Sequence, residues 1–301
     1  MELCDYGLKN EHNVGIIMKE MVRRAIAIIR RERFIFESQK KEGYDGILND
    51  VSTTADFVVQ EMYLRTIKEN FEECGIIAEE NKIMIPCRHS QANVYFTVDP
   101  VCGTKAFDRR QSHGIGTMIS LVLNGEVIAA YIGDVMTQVI FGFRPGSKKV
   151  WRISEYENFE KLEIDGQKLL SDQYVLLLDL PDRYSAFVQS CVKSKEQGGL
   201  FKSGTMSDGS IGLSMARLWK GEVGAVFLAS RYDTPWDVTP ILGISQKLNC
   251  VFLSIPSDSN SINFDYKTEV SRTVKQRIHE LLVIHQDRIP ELKNWIENRR
   301  D

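Results

Sequence analysis

The chain has 301 residues, and its 38 lysines and arginines nearly balance 41 aspartates and glutamates, giving a formal net charge of −3. That balance argues against a strongly basic nucleic-acid binder and against a polyacidic tail protein. A hydrophobic fraction of 43% with 26% charged residues excludes wholesale disorder, and the length suggests about two globular domains.

The cysteines and the first residues of the sequence predict a cytoplasmic protein. Six cysteines are scattered along the chain without a C-x-x-C pair: Cys4, Cys74, Cys87, Cys102, Cys191 and Cys250. The start of the sequence, Met1 to Asp5, is acidic and lacks the pattern of a signal peptide, so we expect reduced thiols. The longest apolar stretch, residues 115–133, is interrupted by Asn124-Gly125-Glu126. We therefore expect neither a membrane span nor a nucleic-acid partner.

In the first half of the chain, hydrophobic periodicity predicts helices packed on an antiparallel sheet. We predict helices over residues 11–36 and from residues 52–56 to just before Gly75. Strands are predicted over residues 76–78, 93–98, 115–123, 127–131 and 135–143. Asn124-Gly125 lies between two of these strands and is a strong hairpin signal.

The second half alternates between the two patterns. Strands are predicted over residues 174–178, 223–228 and 251–255, and helices over residues 183–194, 211–218, 238–248 and 269–285. The change of pattern predicts an α+β domain over residues 1–160 joined to an α/β domain over residues 161–301.

Four acidic positions lie at the ends of predicted elements, where functional sites usually form. Glu79-Glu80 follows one strand, Asp99 closes another, Asp237 opens a helix, and Asp50 precedes a helix start. Carboxylates from separate strand ends are suited to hard divalent cations such as Mg²⁺. After Asp99, Gly103-Thr104-Lys105 offers backbone N–H groups that suit a phosphate. Together these features favour phosphoryl chemistry.

Taken singly, these acids have simpler interpretations. An isolated acid is more often a helix cap or a loop residue than a metal ligand, and Asp237 suits a helix N-cap. Other site types are excluded more clearly. The sequence contains no G-K-[ST] of a P-loop, no H-E-x-x-H and no G-x-S-x-G.

The order of four short motifs carries more information than any one acid. They are Asp50-Val51-Ser52-Thr53-Thr54-Ala55-Asp56, Ala78-Glu79-Glu80, Asp99-Pro100-Val101-Cys102-Gly103-Thr104 and Trp236-Asp237. This order and spacing resemble the inositol monophosphatase family, with its D-x-V-T-x-x-D, G-E-E, D-P-[IL]-D-G-T and W-D, over about residues 11–285. The resemblance implies a layered αβαβα sandwich of the inositol monophosphatase and fructose-1,6-bisphosphatase type. It also implies hydrolysis of a small phosphate monoester with Mg²⁺, for which Mn²⁺ would substitute, by a homodimer.

The resemblance also implies a role for each matching residue. Glu79, Asp99 and the Val101 carbonyl would bind a first metal ion, and Asp99 and Asp237 a second. Asp50 and Thr104 match the pair that activates the attacking water, and Glu80 would orient a nearby water. The backbone of Gly103, Thr104 and Lys105 would hold the phosphate, and Gly209, Ser210 and Ile211 would line the substrate pocket.

Two departures from the family pattern leave alternatives open. Cys102 stands where the family has a second aspartate that binds the second metal, and a neutral thiol is a poor Mg²⁺ ligand. The chain is therefore a slow phosphatase, an enzyme using a softer metal, or a catalytically impaired phosphate-binding or regulatory protein. Ser230 stands where the inositol-specific members of the family have a glutamate that contacts the sugar hydroxyls. An inositol phosphate, histidinol phosphate, an adenosine bisphosphate and a sugar phosphate thus all remain candidate substrates. Arg217 and Arg231 could meet a second anionic group, but a surface role for each is favoured.

Overall fold

The computed structural model describes residues 10–256 and 261–299, so Cys4 and the N-terminal residues considered above lie outside the described residues. Seven α-helices occur within these ranges: α1 (Glu11–Glu32), α2 (Thr54–Asn70), α3 (Thr104–Asp108), α4 (Ala186–Cys191), α5 (Ile211–Trp219), α6 (Pro235–Lys247) and α7 (Ile289–Glu297). None of the helices in the described ranges is long and apolar enough to cross a membrane.

Most strands form two large mixed sheets. The first ten strands are β1 (Ser38–Lys41), β2 (Asp50–Thr53), β3 (Gly75–Ala78), β4 (Ile83–Ile85), β5 (Val94–Cys102), β6 (Gly116–Leu123), β7 (Glu126–Asp134), β8 (Ile140–Phe143), β9 (Trp151–Ile153) and β10 (Phe159–Lys161). The others are β11 (Tyr174–Leu177), β12 (Ser203–Met206), β13 (Ala225–Leu228), β14 (Arg231–Asp233), β15 (Cys250–Ile255), β16 (Lys275–Arg277) and β17 (Glu280–His285). An eight-stranded sheet has the order β10-β9-β8-β7-β6-β5-β3-β4, and a five-stranded sheet has the order β12-β11-β13-β17-β15. The pairs β1-β2 and β14-β16 form two-stranded antiparallel sheets.

The helices and sheets stack in five layers. The apolar faces of α1 and α2 bury against one face of the eight-stranded sheet, where Met18, Val22 and Tyr63 are almost inaccessible to water. Helices α5 and α6 fill the space between the two sheets, with Trp219 at the centre of that core. Helices α4 and α7 cover the outer face of the five-stranded sheet. This arrangement confirms the expected αβαβα sandwich.

Local signals explain several element boundaries. The side chain of Asn10 accepts a hydrogen bond from the Asn13 amide and caps α1. Thr53 and Asp56 form a capping box at the start of α2. Asn124 and Gly125 both adopt positive φ between β6 and β7, which confirms the predicted hairpin.

The predicted helix over residues 269–285 is wrong. This segment contains β16 and β17, and β17 pairs antiparallel with β13 and β15 inside the five-stranded sheet. All six residues of β17 are buried, because helices cover both faces of that sheet, and such a strand shows a continuous apolar run without alternation. The last helix is α7, and the segment predicted as a strand over residues 135–143 is a turn followed by β8. The two-domain division stays a prediction.

Candidate active site

Strand pairing brings the acidic motifs together. Strands β3 and β5 run parallel with Ala78 opposite Val98, so Glu79 and Asp99 lie at the same edge of the sheet. Asp237 reaches the same place from the first turn of α6. Thr234, not Asp237, is the N-cap of that helix, and the Asp237 amide donates to the Thr234 hydroxyl. The Asp237 carboxylate is therefore not needed as a cap.

These acids line a pocket of about 540 Å³ between the two sheets. Most of the predicted site residues lie in its wall: Asp50, Glu79, Asp99, Val101, Cys102, Gly103, Thr104, Lys105, Gly209, Ile211 and Asp237. Two others, Glu80 and Ser210, are buried behind that wall. The structure thus gathers motifs that are up to 187 residues apart, from Asp50 to Asp237, around one cavity.

Three side chains that could ligate a metal ion meet at the centre of the pocket. Asp99, Cys102 and Asp237 each offer one ligand atom, and these atoms lie within 4.8 Å of one another. Asp99 is 2% exposed, and its Oδ1 atom has no hydrogen-bond partner. Burial, together with Glu79 and Asp237, raises the pKa of Asp99 well above its ordinary value. A buried carboxylate oxygen without a donor is costly unless a cation contacts it.

The Cys102 thiol is a poor ligand for a metal ion. It is buried, and the Ser210 hydroxyl donates a hydrogen bond to its Sγ atom over 2.9 Å. Burial, and then the charges of Asp99 and Asp237, raise its pKa well above the ordinary value, so the thiol is neutral. A neutral sulfur gives a hard cation such as Mg²⁺ little to bind.

Lys41 and Arg231 contact the carboxylates predicted for the metal site and its neighbouring water. Lys41 Nζ lies 2.7 Å from Glu80 Oε1 and 3.3 Å from Glu79 Oε1. A guanidinium nitrogen of Arg231 lies 2.6 Å from Asp237 Oδ2. Arg231 is thus partly exposed, as a surface residue would be, and it also lines the pocket. Lys41 was missed because a β-strand lysine carries no motif. Arg217 does pair with Glu222, away from the pocket.

The hydroxyl of Thr104 pairs with Asp56, where the sequence predicted Asp50. Thr104 Oγ1 donates to the Val101 carbonyl at 2.8 Å and lies 3.3 Å from Asp56 Oδ1. The other Asp56 oxygen accepts hydrogen bonds from the amide and hydroxyl of Thr53. Burial is the main reason that the pKa of Asp56 is raised to about 7.

Asp50 instead faces Lys105, with 3.7 Å between Asp50 Oδ1 and Lys105 Nζ. The physical reason is its position: Asp50 begins the half-exposed strand β2, whereas Asp56 lies in the buried first turn of α2. The T-x-x-D spacing of the capping box was the sequence signal that marked Asp56. The structure thus makes Asp56, and not Asp50, the partner of Thr104.

The turn after Asp99 depends on Gly103. This residue has φ of +91°, and a Cβ atom there would lie 2.2 Å from the Gly114 carbonyl oxygen and 2.7 Å from the Ser210 amide nitrogen. Glycine therefore allows the D-P-V-C-G-T segment to pack against the segment that carries Ser210.

We expect Gly103→Ala to lower the free energy of unfolding by about 3 kcal/mol, because backbone overlap adds to the left-handed strain. Gly221→Ala is the matched control, since Gly221 also has positive φ of +72° but nothing lies within 4 Å of a Cβ there. The control should cost only about 1 kcal/mol. Urea unfolding measures both, and equal losses would contradict the packing role of Gly103.

A sequence comparison decides the family. Residues 10–290 match the sequence model of the inositol monophosphatase family. The chain belongs to this family. The match covers both sheets and all four motifs, which agrees with the resemblance seen in the sequence. No curated protein gives a significant match to the chain.

Solved structures of the same family share the fold. The extragenic suppressor protein SuhB of Bartonella henselae is 14% identical with a TM-score of 0.69, over 94% of this chain and 98% of that one. The IMPase of Thermotoga maritima is 16% identical with a TM-score of 0.66, over 93% and 95%. An IMPase/NADP phosphatase crystallised with NADP and Ca²⁺ is 16% identical with a TM-score of 0.70, over 95% and 96%. At these identities the likeness establishes the fold alone.

Proposed function

We propose that the chain is a Mg²⁺-dependent phosphatase that hydrolyses a small phosphate monoester. The buried, unpartnered Oδ1 of Asp99 beside Glu79 and Asp237 supports this proposal most strongly. Such an oxygen is what a cation site offers before a cation is bound, and family membership makes phosphate chemistry the natural use of that site.

Glu79, Asp99 and the Val101 carbonyl would hold a hard divalent cation. When bound, this cation would neutralise charge on the phosphoryl group and make a nearby water more acidic. Mn²⁺ has the same preference for oxygen and would substitute for Mg²⁺. The Val101 carbonyl already accepts the Thr104 hydrogen bond, so it is held in a fixed orientation at the pocket.

Asp56 and Thr104 would activate the attacking water. The Thr104 hydroxyl would turn from the Val101 carbonyl toward Asp56 Oδ1, pass its proton to that carboxylate and take one from the attacking water; Thr53 holds the other Asp56 oxygen. Asp50 would act through Lys105, which it contacts, rather than at the water. Glu80 is fixed by Lys41 and by two hydrogen bonds between its backbone and the Gln60 amide, so it would orient a water from a rigid position.

The phosphate and the rest of the substrate would occupy the remaining pocket wall. Gly103, Thr104 and Lys105 would hold the phosphate, and Gly209, Ser210 and Ile211 would contact the substrate. Ser230 offers no carboxylate to sugar hydroxyls, so we expect inositol phosphate to be one of several substrates. One relative was crystallised with NADP, so adenosine bisphosphates remain among the candidate substrates. We also propose that the protein is a cytoplasmic homodimer, as the family resemblance implies. Light scattering would measure its mass in solution.

A substrate panel tests the proposal. Inositol 1-phosphate, histidinol phosphate, adenosine 3′,5′-bisphosphate and fructose 1,6-bisphosphate should each be incubated with Mg²⁺ and with Mn²⁺. We expect phosphate release from at least one compound, and none after the cation is removed with EDTA. Release that persists in EDTA would contradict a cation-dependent mechanism.

The buried Cys102 thiol favours a second candidate, a catalytically impaired protein that still binds a phosphate ligand. Such a protein would release no phosphate from any compound with either cation. One of the compounds would nevertheless raise the melting temperature, because a ligand that binds only the folded state stabilises it. The same panel therefore separates the two candidates.

A further inference from the structure

The part of the pocket around Asp237 carries a fixed positive charge. A guanidinium nitrogen of Arg231 lies 2.6 Å from Asp237 Oδ2, in the pocket wall that also contains Asp99 and Cys102. An arginine stays positively charged in proteins and cannot make room for a metal ion by losing a proton. Any cation that used both Asp99 and Asp237 would therefore approach this guanidinium.

Arg231 is held in place by a buried scaffold. It begins β14, which pairs with β16 so that Arg231 lies opposite Arg277. Arg277 is 5% exposed, its Nε donates to Asp233 Oδ2 over 2.8 Å, and its guanidinium also donates to the carbonyls of Ala229 and His279. These bonds hold the backbone of β14 on both sides of Arg231, and the side chain, which is 37% exposed, reaches Asp237 from that fixed strand.

The formal charges then balance with one divalent cation. Glu79, Asp99 and Asp237 supply three negative charges, and Arg231 offsets one of them. Lys41 and Glu80 offset each other, since their side chains are 2.7 Å apart. The other acids of the pocket wall each have a basic partner, since Asp50 pairs with Lys105, Asp179 with Arg183 and Asp208 with Arg109. Two negative charges remain beside the unpartnered Asp99 Oδ1, and one divalent cation neutralises them.

The ligand chemistry leads to the same conclusion. The set formed by Asp99, Cys102 and Asp237 does not fit a second Mg²⁺, because one member is a thiol hydrogen-bonded to Ser210 and another is already paired with Arg231. Glu79, Asp99 and the Val101 carbonyl line the same pocket and offer only oxygen, which is the ligand type that Mg²⁺ prefers.

We propose that the Arg231 guanidinium takes the place of a second metal ion, so that the chain binds a single divalent cation. The pocket then has one carboxylate fewer, at Cys102, and a fixed positive charge at Arg231 where a second cation would lie. This inference rests on the proposed cation site but not on turnover.

Mn²⁺ titration by calorimetry and by electron paramagnetic resonance tests this inference through stoichiometry. The unaltered protein should bind one Mn²⁺ per chain. The double variant Cys102→Asp/Arg231→Gln restores the carboxylate and removes the guanidinium, and it should bind two. The matched control Cys102→Asp/Arg217→Gln removes an arginine that pairs with Glu222 outside the pocket, and it should still bind one. Melting curves verify that each variant is folded.

Two results would overturn the inference. One is a second saturable Mn²⁺ in the unaltered protein, which needs no variant to detect. The other is two Mn²⁺ in the Arg217 control, which would make the missing carboxylate alone responsible. One bound Mn²⁺ without phosphate release would reject the proposed phosphatase activity and support this inference. Two bound Mn²⁺ with phosphate release would support the phosphatase activity and reject this inference.

Discussion

Asp99→Asn should lower phosphatase activity by at least about 1000-fold, equivalent to about 4 kcal/mol of transition-state stabilisation. Asp99 is the one carboxylate of the pocket that is both fully buried and left with an unpartnered oxygen. An asparagine keeps the shape but loses the charge that would hold the cation.

The same variant has a second readout in stability. Without a divalent cation, the asparagine removes a buried charge that burial and Glu79 disfavour, so its melting temperature should equal or exceed that of the parent. With Mg²⁺ added, the parent should gain melting temperature and the variant should not. Asp172→Asn, an exposed aspartate paired with Lys195, is the matched control and should behave like the parent. Full turnover in Asp99→Asn would reject this pocket as the active site.

Asp56→Asn should lower kcat by about 100-fold or more, whereas Asp50→Asn should lower it by less than about tenfold. Only Asp56 contacts the Thr104 hydroxyl, and Asp50 is 3.7 Å from Lys105 Nζ instead. Because Asp56 also accepts two hydrogen bonds from Thr53, its variant should lose about 1–2 kcal/mol of stability, which urea unfolding would measure separately. Equal effects of the two substitutions on kcat would contradict the assignment.

The pH dependence of kcat gives an independent test of Asp56. A general base acts in its ionised form, and burial raises the pKa of Asp56 to about 7. The ionised fraction, and with it kcat, should therefore fall as pH decreases below about 7. In Asp56→Asn the residual rate should lose this dependence, and a decline that persisted unchanged would have to come from another group.

The sequence was most informative where structure is local. The amphipathic pattern of α1, the Asn124-Gly125 turn and the central strands β3, β5, β6 and β7 each depend on neighbouring residues, and each was predicted. The helix predicted over residues 269–285 failed because Leu281 to Ile284 form a strand that is buried on both faces. A continuous apolar run does not reveal its period, so only its partners β13 and β15 determine the structure.

The site was predicted by motif order, and its errors concern contacts between distant segments. Lys41, Asp56 and Arg231 all contact the expected carboxylates or Thr104, yet none was assigned to the site. Lys41 reaches Glu80 across 39 positions and Asp56 reaches Thr104 across 48. The D-x-x-x-x-x-D segment contains two aspartates, Asp50 and Asp56. The boundary between β2 and α2 determines which of them faces inward, and sequence patterns locate such boundaries poorly.

Helix α6 has a consequence for how the molecule unfolds. It packs against β5, β6 and β7 of one sheet and against β15 of the other, and its first turn presents Asp237 to the pocket that contains Glu79 and Asp99. A cation bound by Glu79 and Asp99 would also attract the nearby Asp237 carboxylate, so that separating α6 from the first sheet would weaken cation binding. Thermal unfolding should then be a single steep transition in the loaded protein and a broader one after chelation. The free cation concentration would thereby set the cooperativity of the whole chain.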